Sequence, residues 1–488
     1  MTGEDSVQPD RSLGSQASRA AAWSGVSTVV LRLGTLVVGI VLARILTPEQ
    51  FGIYAVALTV QSILITLADL GLSADLIRSK EPERIAPTVA TLGLVMGTVM
   101  TAITFGFSTT LAALLGSPAA APAIAVLSFT LVLAGATVVP YAMLQRRFQQ
   151  REMFVVGVAD FVVSTTVTLL LIAAGFGVLG LAIGRVAAQI VSSAMQFALA
   201  RVRPRYGIDR SILRPVLAFG LPIAAANLLS WALLNVDNIV LARVAGATAL
   251  GYYVLAFNIS GWPMSALAQV VRSISLPYFA RSTRGGEGLA PLTAVAWAGA
   301  LPAGAVLAAL AAPLIEVVYG PKWLPAAPVL AALGVYGSLR VVFDIFAGYL
   351  YARGRSGPVL VIQIIWLIVL TAAMMVATRA YGIVGAGWAH VLVAIVVILP
   401  AYLIALRATG VHAGDFIREA WWPTVATVPA VAAALLARSL FPAALPALLI
   451  GGSVAVATYG VLMWRWLGRR VRDVRGVAAA TASEGSRG

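Results

Sequence analysis

Arg32, Arg185 and Arg340 each stand well inside an apolar run, where a guanidinium keeps its charge and must face water or an anion. A planar fork of N–H donors in such a place suits the paired oxygens of phosphate or carboxylate. Four carboxylates have similar surroundings: Asp69, Asp160, Asp237 and Asp344. Asp344 follows Arg340 by one helical turn and can pair with it. For Arg32 and Arg185 the candidate charge partners are Asp69 and Asp160 on other segments, and a cavity-facing cation is the favoured reading. The run Asn235, Asp237, Asn238 offers the hard oxygen ligands that Na⁺ takes and a carboxylate that can carry H⁺, against the plainer reading of a solvated helix end. His390 is a candidate cavity cation or proton relay, against a hydrogen-bonded packing histidine.

Those residues need elements to hold them at depth. The chain is 60% hydrophobic and 11% charged over 488 residues, with a mean hydropathy of +0.93. That is the composition of a helical bundle in lipid. Runs of about 20 apolar residues predict about fourteen transmembrane helices, roughly at 22–45, 51–72, 88–113, 121–144, 153–174, 178–200, 216–242, 247–270, 291–316, 326–351, 358–379, 383–406, 421–440 and 446–466. The expected fold class is an all-α integral membrane protein. Glycine pairs such as Gly93/Gly97 and Gly180/Gly184 are spaced for close helix packing. The polar stretch 1–19 before a long apolar run argues against a cleaved signal peptide.

The chain repeats itself. IVLARILTPEQFGIY (40–54) and IVLARVAGATALGYY (239–253) align with Arg44 on Arg243, Gly52 on Gly251 and Tyr54 on Tyr253. A weaker echo sets GVLGLAIGRV (177–186) on GIVGAGWAHV (382–391), which puts Arg185 opposite His390. Two lobes of six helices follow, at 22–200 and 216–406, as parallel repeats. A basic cytoplasmic linker at 201–215 joins them. Helices 13 and 14 (407–467) are an appendix, and tails at 1–21 and 468–488 complete the chain. With the N-terminus inside, cytoplasmic loops and tails hold 26 of the 34 Lys+Arg residues and the opposite loops five. That asymmetry predicts cytoplasmic termini. The net charge of +15 is then a topology signal, not a nucleic-acid surface, with anionic membrane lipids as a secondary partner of the tail.

Several functions are excluded or disfavoured. There is no cysteine, hence no disulfide or thiolate metal site. No P-loop, HExxH, GxSxG or metal-ligand spacing occurs, and no loop exceeds about 20 residues, so neither a catalytic domain nor a resident cofactor is expected beyond Na⁺ or H⁺ coupling.

VLARILTPEQFGIYAVALTVQSILITLADLGLSADLIR (41–78) resembles the first two helices of polysaccharide transporters. These are the lipid-linked oligosaccharide flippases of the multidrug/oligosaccharidyl-lipid/polysaccharide exporter superfamily. The resemblance is carried by Ala43-Arg44, by Leu46, Pro48, Phe51, Gly52 and Tyr54, and by Gly71-Leu72. The run VDNIVLARVAGATALGYYVLA looks like its second-lobe counterpart. The resemblance implies a V-shaped two-lobe bundle moving an undecaprenyl-diphosphate-linked glycan to the outer leaflet of a bacterial cytoplasmic membrane. It implies a cationic cavity, a role open to Arg32, Arg185 and Arg340, and work beside a glycan polymerase and other polysaccharide-assembly proteins. The alternatives are a cation-coupled multidrug exporter, which would favour an acidic or aromatic cavity, and a membrane-embedded glycan polymerase or ligase, which would need a large periplasmic loop.

Overall fold

The computed structural model describes the backbone of residues 30–69, 71–203, 205–281 and 288–484. The expected N-terminal tail and the start of the first span, 22–29, lie outside the described residues, as does the end of the C-terminal tail. Among the described residues every regular element is helical. The chain is an all-α integral membrane protein.

Helix α1 spans 30–45. It is followed by α2 (Pro48–Asp69), α3 (Leu72–Arg78), α4 (Pro82–Gly106), α5 (Ser108–Leu114), α6 (Ala121–Arg146), α7 (Gln150–Ala173) and α8 (Val178–Ala200). Then come α9 (Arg210–Arg281), α10 (Leu289–Ala309), α11 (Ala311–Val318), α12 (Ala327–Ala352), α13 (Ser356–Val393), α14 (Leu399–Arg407), α15 (Ala413–Leu440) and α16 (Ala444–Glu484). Among the described residues, eleven helical stretches are long and apolar enough to cross a membrane. Two of them are pairs of helices: α9 bends at Gly246 and α13 at Tyr381–Gly382. Outward side chains such as Leu170, Val461 and Trp464 are largely exposed, as residues facing lipid must be.

The internal repeat is present in the backbone itself. Both halves run long helix, short helix, 3₁₀ turn, long helix and then a hairpin of two long helices. In the first half the series is α4, α5, Pro118–Ala120, α6, α7 and α8; in the second it is α10, α11, Pro321–Ala326, α12 and the two arms of α13. The echo at 177 and 382 has a conformational cause. Gly177 takes φ 52°, ψ −124° and Gly382 takes φ 58°, ψ −145°, a region open in practice to glycine alone. The chain must turn sharply there before its last helix, and both halves place the same residue at the turn.

Two compact units divide the molecule, Met1–Thr248 and Ala249–Gly488. The first arm of α9 belongs to the first unit because its polar residues are tied to α2. Trp231 Nε1 donates to Ser62 Oγ at 2.8 Å, and Asn238 Nδ2 approaches Thr59 Oγ1 at 3.5 Å. Arg78 lies over the Phe219 ring, 3.4 Å from its centroid, which ties the start of α9 to α3. The second unit has a heavily aromatic core around Trp323, Tyr253, Tyr349, Phe343 and Phe346.

Candidate functional site: a polar cavity in the first unit

Helix α8 follows Gly177 and carries Arg185, Gln189, Ser192 and Gln196, at steps of four, three and four. That spacing lines them along one face. All four border a cavity of about 750 Å³ within the first unit. Across it, α7 presents Asp160, Ser164 and Thr165, α2 presents Tyr54, and α1 presents the stripe Leu31, Thr35, Val38, Gly39 and Leu42. The wall is apolar with a polar seam, the composition of a ligand cavity.

Arg185 Nη1 donates to Asp160 Oδ2 at 2.9 Å, and Ser192 Oγ donates to Asp160 Oδ1 at 2.8 Å. Of the two candidate partners, Asp160 holds Arg185; Asp69 instead accepts the Ser73 hydroxyl at 3.1 and 3.3 Å. The choice between cavity cation and interhelical salt bridge was a false one, because Arg185 is both. The side chains of Arg185 and Asp160 are 37% and 27% exposed, so the pair is reachable from the cavity and the guanidinium keeps donors for a second anion. Gln196 Oε1 is buried without a hydrogen-bond partner and also borders the cavity. Arg32 is exposed on α1 and does not itself border this cavity, although its neighbour Leu31 does.

The second unit treats the corresponding positions differently. His390, opposite Arg185 in the repeat, is 3% exposed. Its Nδ1 lies 3.0 Å from the Ala386 carbonyl, which can only accept, so Nδ1 carries the proton. Nε2 lies 3.4 Å from the Tyr253 hydroxyl oxygen, and the Tyr336 ring stands edge-on at 5.0 Å. His390 borders neither this cavity nor that of Arg340 and Asp344, and the Tyr253 and Tyr336 rings pack against it. Arg340 and Asp344 share the wall of a smaller cavity, about 130 Å³, with Tyr336, Ser260 and Met264.

Asp237 is 4% exposed, so the solvated helix end that served as its plainer reading does not describe it. Its Oδ1 accepts the Asn238 backbone N–H at 2.9 Å, while Asn235 Nδ2 donates to the Trp231 carbonyl at 3.0 Å. No group of three or more His, Cys, Asp or Glu placed to hold a metal ion occurs among the described residues.

Sequence reading missed Gln189, Ser192 and Gln196. They are uncharged, and only their spacing on one helix face could have marked them.

A family model described as "Polysaccharide biosynthesis protein" matches residues 41–328. The chain is 26% identical over 433 residues to the lipopolysaccharide biosynthesis protein WzxC of Escherichia coli (strain K12), covering 86% of this chain and 87% of that one. It is 26% identical over 477 residues to the succinoglycan biosynthesis transport protein ExoT of Rhizobium meliloti (strain 1021), covering 94% and 95%. Its fold is similar to a solved structure of the lipid II flippase MurJ in an inward closed conformation. The TM-score is 0.70 at 13% identity, over 90% of this chain and all of that one.

Proposed function

Since the chain belongs to the polysaccharide biosynthesis protein family and is a multi-pass membrane transporter, we propose that it carries a polyprenyl-diphosphate-linked oligosaccharide from the inner to the outer leaflet by alternating access. The observation that supports this cargo most is the cavity holding Arg185, with its polar seam on α8 and α7. A diphosphate with sugars cannot cross about 30 Å of hydrocarbon unaided. A wet cavity offers arginine forks to phosphate oxygens and amides and hydroxyls to sugars, while the polyprenyl tail stays in lipid. Moving negative charge outward runs with an inside-negative potential, worth roughly 2.3 kcal/mol per charge per 100 mV. The cargo arrives from glycosyltransfer on the lipid carrier and leaves to a glycan polymerase or ligase, which are the expected partners.

Asp237 with Asn235 and Asn238 is the proposed ion-coupling site. In proteoliposomes, the wild-type protein is expected to expose a lipid-linked oligosaccharide to an external glycosidase, faster when a Na⁺ or H⁺ gradient is imposed. Asp237→Asn is expected to transport at the gradient-free rate under every condition. No exposure of the glycan at all would refute the transport reading. A gradient response undiminished in the mutant would refute only the role of Asp237.

The proposed orientation places both termini in the cytoplasm of a bacterial inner membrane, from the excess of arginine in alternate loops. Reporter fusions after residues 146 and 205 should then score cytoplasmic and one at Lys322 periplasmic. A periplasmic signal at 205 would overturn the orientation.

A further inference from the structure

Residues 201–203 and 205–209 follow α8 outside any helix and carry three arginines that the transport cavity does not use. Arg201 closes α8 in the left-handed region, at φ 51°. Arg201, Arg203 and Arg205 form a comb in one respect: all three border one cavity of about 400 Å³ with Arg147 and Tyr206. The chain just beyond the comb is tied to α4. Gly207 N–H donates to Thr91 Oγ1 at 2.9 Å, the Thr91 hydroxyl has the Pro87 and Gly207 carbonyls as acceptors at 2.8 and 3.1 Å, and Asp209 N–H donates to Thr88 Oγ1 at 3.1 Å. Arg147 Nη1 donates to the Ala200 carbonyl at 2.8 Å, so it caps the end of α8 while facing the same cavity.

The floor is of the opposite character. Ala90, Val139, Met143 and Phe197, from α4, α6 and α8, make it apolar. Ala90, Val139 and Met143 are each 5–7% exposed. Glu83 is the one carboxylate in the wall among the described residues, and none of the four arginines forms an ion pair with a carboxylate there. A free inorganic anion would use the comb and leave the floor bare. A nucleic-acid strand would need a longer basic track than one pocket. An amphiphile uses both.

We infer that this cavity is a binding site for the phosphate headgroup of a lipid, with the arginine comb on the phosphate oxygens and the first carbons of the chain on the apolar floor. The site stands whatever cargo the transporter carries. Its ligand is either a resident anionic phospholipid or a polyprenyl diphosphate held before entry, since both present the same chemistry.

The test is native mass spectrometry of delipidated protein in detergent, titrated with phosphatidylglycerol, with farnesyl diphosphate and with inorganic diphosphate. The variants are R201Q/R203Q/R205Q and a charge-matched control, R151Q/R210Q/R214Q, at exposed arginines outside the cavity. Wild type and control are expected to bind a lipid phosphate with similar affinity. The comb variant should bind it at least tenfold more weakly, and inorganic diphosphate should compete poorly. Farnesyl diphosphate displacing phosphatidylglycerol identifies the carrier lipid as ligand; failure to displace it identifies the phospholipid. Equal affinity in all three proteins, or equal loss in both variants, overturns the site. Because the readout is binding, a failed transport assay leaves it untouched.

Discussion

Arg185→Ala is expected to lower glycan export about a hundredfold while the protein remains folded in the membrane. Two charge-assisted hydrogen bonds from one guanidinium to phosphate contribute about 3 kcal/mol together, which is roughly that factor. The structure supplies the control, because Arg185 is held by Asp160 at 2.9 Å. If the arginine serves cargo, Asp160→Ala only releases it, and the double mutant stays as inactive as Arg185→Ala. If the pair is merely structural, each single mutant leaves an uncompensated charge in a half-buried site and lowers the melting temperature, and the double mutant recovers both stability and export. Arg185→Lys should recover a part of the activity, since an ammonium keeps the charge and loses the fork. Export and melting temperature across these four variants decide the matter, and recovery in the double mutant would remove Arg185 from the binding site.

The repeat was legible in sequence because an arginine, a glycine and a tyrosine in register are improbable in a chain built mostly of aliphatic residues. It reached down to backbone dihedrals at Gly177 and Gly382. What the repeat could not convey was the fate of equivalent positions. Tyr54 and Arg185 border an open cavity, whereas their counterparts Tyr253 and His390 are buried against each other. Burial depends on neighbours from other helices, and nothing in a single helix encodes it. Sequence left open which of Asp69 and Asp160 pairs with Arg185, for a related reason. In the α7–α8 hairpin Ser192 and Asp160 are equidistant in sequence from Phe176, so their pairing follows from the turn. Arg185 lies two helical turns nearer that bend and reaches Asp160 by the length of its side chain. Sequence spacing alone does not show such a reach. The spacing of Gly93 and Gly97, by contrast, pointed directly to what the helices do.

Gly135→Leu is expected to abolish folded protein altogether. A Cβ at Gly135 would fall on the Gly93 carbonyl; one at Gly93 would lie 2.7 Å from the Gly135 carbonyl oxygen, and one at Gly97 2.6 Å from that of Leu131. Helices α4 and α6 thus meet backbone to backbone, and a side chain between them must drive them apart. Gly348→Ala, where nothing lies within 4 Å, should be neutral or gain up to about 1 kcal/mol from helix propensity. The second unit builds the same crossing between α10 and α12. There Gly304 stands for Gly97, Ala300 for Gly93 and Ser338 for Gly135, and the Ser338 hydroxyl donates to the Ala300 carbonyl at 2.8 Å. At this crossing, then, a serine fits where the first unit has glycine, because its hydroxyl satisfies the carbonyl that a methyl group would only crowd. Gly135→Ser, with its hydroxyl aimed at the Gly93 carbonyl, should therefore be the best tolerated substitution at 135, melting above Gly135→Ala despite its larger side chain. Size-exclusion profiles and melting curves in detergent test the series. A Gly135→Leu protein that elutes and melts like wild type would mean that α4 and α6 do not touch there, and serine melting below alanine would mean that the two crossings are not alike.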